Sequence, residues 1–89
     1  MAVEYGQYET AIHQLQAYTA RRPDDADGHI LLGYALHQAN RYEEACEEYK
    51  DTLALRPNDS VAEVNLAEIY TQQGRAIDAV ALMERHIPG

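Results

Sequence analysis

The sequence predicts an all-helical solenoid of about two and a half helix-turn-helix units, five main helices in all, and three observations carry that prediction. When the 89-residue chain is shifted against itself by 34 positions, Gly6, Asn40 and Gly74 fall into register, as do Ala11, Ala45 and Ala79, and Leu15, Tyr49 and Met83. Between these landmarks the apolar residues recur at helical spacing. Pro23 and Pro57 stand one period apart, where the residue before each is pushed away from helical angles. A repeat of this length cannot bury its apolar face alone, so the units must stack.

Taken in order, residues 1–25 form a partial unit. Met1 to Tyr5 fall in the register of the end of a first helix, and Gly6 is expected to make the turn. Tyr8 to Arg22 then carries Ala11, Ile12, Leu15, Tyr18 and Thr19 as one apolar stripe. Residues 26–59 are the complete unit. Asp24, Asp25 and Asp27 supply cap candidates and negative charge at the start of a helix running to about Gln38. His29, Leu32, Gly33 and Leu36 are its inner face. Gly33 costs about 1 kcal/mol in helix propensity relative to Ala, so its expected use is to admit a close neighbour. Asn40 tolerates the left-handed conformation of a tight turn, as Gly74 does one period on. Tyr42 to Arg56 buries Ala45, Tyr49, Thr52 and Leu53, with Glu43, Glu44, Glu47, Glu48 and Asp51 expected to face outward. Residues 60–89 are a nearly complete unit: Ser60 or Asp59 caps Val61 to Gln73, whose inner face is Leu66, Ala67 and Tyr70. Gly74 turns the chain into Ala76 to Ile87.

Composition narrows the function. Fifteen acidic against seven basic side chains give a net charge of -8, which repels phosphate backbones and argues against nucleic acid as a partner. No apolar run approaches the roughly 20 residues needed to span a bilayer, so membrane insertion is not expected. One cysteine, Cys46, cannot form an intramolecular disulfide, and no charged-then-apolar leader opens the sequence. The expectation is a reducing compartment, the cytoplasm.

No chemistry-bearing motif emerges. His13, His29, His37 and His86 share no short spacing, and neither CxxC nor HExxH occurs, so no metal or other cofactor is expected. Cys46 adjoins the core position Ala45 and reads as a packing group. The run EEACEEYKD spreads its carboxylates over a solvated helix face, and lacks the turn glycine of a calcium loop. No catalytic residues are assigned, and an enzyme is not expected.

The landmarks have a family pattern. The chain resembles the tetratricopeptide repeat (TPR), whose signature is W-x2-L-G-x2-Y, then A-x3-F, then P. The complete unit carries Leu32-Gly33, Ala45, Tyr49 and Pro57; the next carries Leu66, Ala67, Tyr70, Ala79 and Met83; the leading one carries Gly6, Tyr8, Ala11, Leu15 and Pro23. The departures are His29 and Glu63 at the signature Trp, Leu36 at the aromatic position, and the absence of the extra polar helix that usually closes the carboxyl end.

The resemblance implies a non-enzymatic scaffold with a concave groove lined by the first helix of each unit. Carried over by register, the lining would be Asp27, Ile30, Leu31, Tyr34, His37 and Gln38, then Val61, Val64, Asn65, Glu68, Thr71 and Gln72. Chaperone-binding members clamp a terminal carboxylate with basic and Asn side chains; only Asn65 of that set occurs here, so a carboxylate clamp is rejected. The apolar centre suits a helical or extended protein segment, amphipathic or basic, with Asp27 and Glu68 favouring positive charge; the alternative is that Ile30 and Val64 are covered within a larger array. A second surface is expected on the last helix, where Ile77, Ala81 and Leu82 replace the Glu43, Glu47 and Glu48 of the middle unit. With Val80 and Ile87, these residues form an apolar face that a continuing chain, a partner protein or a second copy in a homodimer would cover. The leading function is therefore a protein-protein interaction scaffold. Its rivals are a bacterial secretion or assembly chaperone with one obligate client, and a self-associating structural or engineered array.

Overall fold

A computed structural model describes residues 5–84. They form five α-helices: α1 (Tyr5–Arg21), α2 (Ala26–Gln38), α3 (Tyr42–Leu55), α4 (Ser60–Gln72) and α5 (Ala76–Glu84). Each helix packs on its neighbours in sequence, α2 against α3 most extensively, which is the pattern of a stacked array of helical hairpins. Met1 to Glu4 and Arg85 to Gly89, including His86 and Ile87, lie outside the described residues.

One expectation fails at the start of the chain. Gly6 lies within α1, not at a turn: a single glycine costs a helix only about 1 kcal/mol, and the flanking residues outweigh it. The two inner turns behave as expected. Asn40 and Gly74 adopt φ of 63° and 74°, and each closes its helix with a Schellman pair of bonds. Arg41 N–H donates to Leu36 O at 2.9 Å and Asn40 N–H to His37 O at 3.0 Å, while Arg75 N–H donates to Tyr70 O and Gly74 N–H to Thr71 O. Asp25 and Asp59 are the side-chain caps, accepting from the Gly28 and Ala62 amides at 3.2 and 3.0 Å.

A single core runs through all five helices. Ile12 from α1, Leu32 and Leu36 from α2, Ala45 and Tyr49 from α3, Leu66 and Ile69 from α4, and Ala79 and Leu82 from α5 are buried in it. Small residues at the repeated positions let helices close on large ones. At Gly33 the neighbour is the Tyr49 ring. Arg41 ties α1 to α3 at the surface, pairing with Glu9 at 3.1 Å and Glu44 at 2.7 Å; such exposed pairs contribute up to about 1 kcal/mol each.

Candidate partner-binding groove

Helical spacing sets the residues of α2 and α4 that escape the core. With Leu32, Leu36, Leu66 and Ile69 turned inward, the stripes through Leu31 and Tyr34, and through Val61 and Val64, must turn away from it. These four large apolar side chains remain 55%, 54%, 58% and 52% exposed. Ile30 is half-buried against the core, and Asn65 is half-buried beside Val61 and Val64 in a shallow depression of about 250 Å3. Gln38, Glu68, Thr71 and Gln72 are exposed. The two stripes meet at their carboxyl ends, where His37 Nε2 stands 3.3 Å from Gln72 Oε1. Beneath them lies the buried Tyr49, whose phenol is raised well above its ordinary value, first by burial and then by the nearby Glu68 charge.

Two expected lining residues are placed differently from the rest. His37 is buried, not exposed, its ring set edge-on to Tyr42 and Tyr49 at 5.7 and 6.3 Å between centroids. It belongs to the foot of the groove, since its helical position turns it toward α3. Asp27 is exposed but already paired with Arg56 from the end of α3. Its charge is thereby partly taken up within the chain, and Glu68 is the acid left to the groove's centre.

The last helix divides in the same way. Ile77 is 86% exposed, and Val80 and Ala81 are exposed beside it. Leu82, expected on the outer face, is instead buried with Ala79 in the core. Leu82 lies three positions after Ala79, so both fall on the inward stripe of α5.

A feature invisible to sequence spacing joins α2 to α3. Glu48 does not face outward as expected: its carboxylate turns in beneath α2 and stands 2.8 Å from His29 Nδ1. Asp51 approaches the same nitrogen at 4.0 Å, and the Pro23 carbonyl lies 2.7 Å from Nε2. His29, Glu48 and Asp51 each offer one ligand-type atom within a 4.8 Å cluster. Since His29 and Glu48 lie 19 positions apart, only the packing of the hairpin brings them together. Elsewhere, a cleft of about 300 Å3 between α1 and α3 is floored by Leu32 and Leu36 and rimmed by Glu44, Glu47 and Glu48.

Comparison with known proteins decides the family. Two tetratricopeptide repeat profiles match the chain, over residues 2–60 and 38–88. The chain belongs to the tetratricopeptide repeat family. Among solved structures, MamA AMB-1 superposes on this TPR chain with a TM-score of 0.83 at 29% identity, covering 88% of this chain and 46% of that one. A second MamA AMB-1 structure gives the same score and identity over 89% and 43%, and a MamA mutant does so over 89% and 58%. The chain thus spans about half the length of the MamA structures it matches. A comparison with curated proteins finds no match. The TPR fold is that of a protein-interaction module, and no helix among the described residues is long and apolar enough to cross a membrane.

Proposed function

We propose that this TPR chain binds a partner protein through the α2 and α4 groove, taking up a helical or extended segment that is apolar on one side and basic at its edge. The observation that carries this reading is the row Leu31, Tyr34, Val61 and Val64, each more than half exposed on α2 and α4. Apolar side chains presented by α2 and α4 offer a partner burial at about 25 cal/mol per Å2, and aromatic anchors such as Tyr34 carry a disproportionate share of binding energy. Glu68 and the net charge of -8 favour a basic ligand by speeding its encounter.

The test uses amphipathic peptides bearing Lys or Arg, selected for binding to the purified chain. Tyr34→Ala and Val64→Ala are each expected to weaken binding by over about 1 kcal/mol, roughly fivefold in Kd, with the circular dichroism spectrum unchanged. Equal affinity in wild type and both variants would remove the groove from the account.

A second reading rests on a separate observation, the exposure of Ile77, Val80 and Ala81 on α5. This surface supports self-association, which sedimentation over a range of concentrations would detect and Ile77→Glu would abolish.

A further inference from the structure

We propose that His29 is a proton-operated latch, charged when closed, that fastens the junction of α1 and α2 to α3. With Glu48 ionised, the geometry favours a second proton on the ring. Nε2 faces the Pro23 carbonyl oxygen at 2.7 Å and Nδ1 faces a Glu48 carboxylate oxygen at 2.8 Å, and neither a carbonyl nor an ionised carboxylate can donate. A neutral imidazole carries one N–H and therefore satisfies one of these contacts while turning a lone pair on the other. The imidazolium donates to both.

The groups facing the ring favour that charge. From α3 these are Glu48 and, at 4.0 Å, Asp51; from the α1 side it is the Pro23 carbonyl. The acid at the head of α2, Asp25, is itself engaged by the Gly28 amide and the Tyr18 hydroxyl. Burial opposes the charged form, but the hydrogen bonds to Glu48 and Pro23 and the two carboxylate charges outweigh it and raise His29 above its ordinary value.

The latch is local to one repeat. One period on, Glu63 and Leu82 occupy the positions of His29 and Glu48, and both are buried. Closing the latch therefore adjusts one joint, the attachment of α1 to the central hairpin, and leaves the packing of α4 on α5 untouched. The sign follows from the raised value: the contribution is complete below the ordinary histidine range near pH 6.5 and is lost as pH rises through the higher folded value. Mild acid tightens the joint, and mild alkali loosens it.

The experiment follows the His29 ring proton by NMR from pH 5 to 9, with thermal unfolding at pH 6 and 8.5, for wild type, Glu48→Gln and His29→Gln. The latch predicts that His29 titrates above a free-histidine reference peptide and that Glu48→Gln brings it down. It also predicts that the wild-type midpoint falls by roughly 4 °C or more from pH 6 to 8.5, and that His29→Gln removes most of that fall. Should His29→Gln fail to fold, His29→Trp, the residue of the family signature, supplies the insensitive control. A His29 that titrates at or below the reference, or an equal pH response in wild type and the His29 variants, overturns the proposal. All scans are repeated with EDTA and with Zn2+: unchanged behaviour supports a proton at Nδ1, whereas a midpoint raised by Zn2+ in wild type but not in Glu48→Gln overturns it in favour of a metal at the same three groups.

Discussion

The Tyr49 ring of α3 lies so close to Gly33 of α2 that a Cβ added at Gly33 would stand 2.8 Å from Cε1. The ring is fully buried and has nowhere to retreat without disturbing the joint between the two helices of the hairpin. Gly33→Ala therefore sets two effects against each other: a gain of about 1 kcal/mol in helix propensity and an overpacking cost of about 1–3 kcal/mol. Overpacking is expected to win. Urea unfolding of the variant should show a lower midpoint at unchanged slope, and a raised midpoint would mean that the ring relaxes.

The caps make a sharper comparison. Asp59 accepts from the Ala62 amide at 3.0 Å, while Ser60 is the first residue of α4. Asp59→Ala should cost about 1 kcal/mol, and Ser60→Ala should stay within about 0.5 kcal/mol. Equal effects in urea unfolding would mean that the hydroxyl shares the cap.

Acid should destabilise the chain through two carboxylates. The Tyr18 hydroxyl, then the Gly28 amide, lowers Asp25, and the hydrogen bond from Arg41 lowers Glu44. Both are depressed in the folded state, so their contribution is present above the ordinary carboxylate value near about pH 4 and is lost as pH falls through the lower folded values. Unfolding midpoints measured between pH 2.5 and 6 should drop on the acid side, and Asp25→Asn should shallow that drop. A profile unchanged by Asp25→Asn would assign the acid limb to other groups.

Cys46 offers a probe of opening. It is buried on α3, and burial raises its thiol above the ordinary value, so the reactive thiolate is scarce at neutral pH. Alkylation by iodoacetamide at pH 7.5 should be far slower in the native chain than in urea, and should accelerate in Gly33→Ala in step with its loss of stability. Fast native alkylation would mean that α3 and its neighbours part locally.

How far the sequence could be read depends on whether a feature is periodic. The 34-residue recurrence located all five helices, the Asn40 and Gly74 turns and the inward stripe of α2, because each follows from local propensity and from packing repeated in every unit. The same logic misplaces Gly6, since the landmark sits where the first unit departs from its copies. Register against Glu48 points Leu82 outward, yet Glu48 itself turns inward, drawn by His29 across the hairpin. A pair 19 positions apart has no sequence signal, and because Glu48 is itself an inward carboxylate, its counterpart Leu82 follows it inward. His37 shows a further limit: spacing placed it on the groove's stripe, but the foot of that stripe already curves beneath the surface toward Tyr42 and Tyr49.

The last helix separates surface from core within six residues. Ile77 is 86% exposed, whereas Leu82 is buried against Ala79 and the rest of the core. Ile77→Glu removes an apolar side chain that contributes little to the fold, so stability should shift by no more than about 0.5 kcal/mol. Leu82→Ala opens a cavity in the core and should cost about 2 kcal/mol, the low end for a buried leucine because, among the described residues, α5 packs chiefly on α4. The pair separates two causes of dissociation: a dimer lost with Ile77→Glu at full stability comes from the surface, and one lost only with Leu82→Ala follows from loosening α5. Sedimentation and urea unfolding on the same samples read both quantities. If the wild-type chain sediments as a monomer throughout, α5 self-association is excluded and the groove alone carries the proposed function.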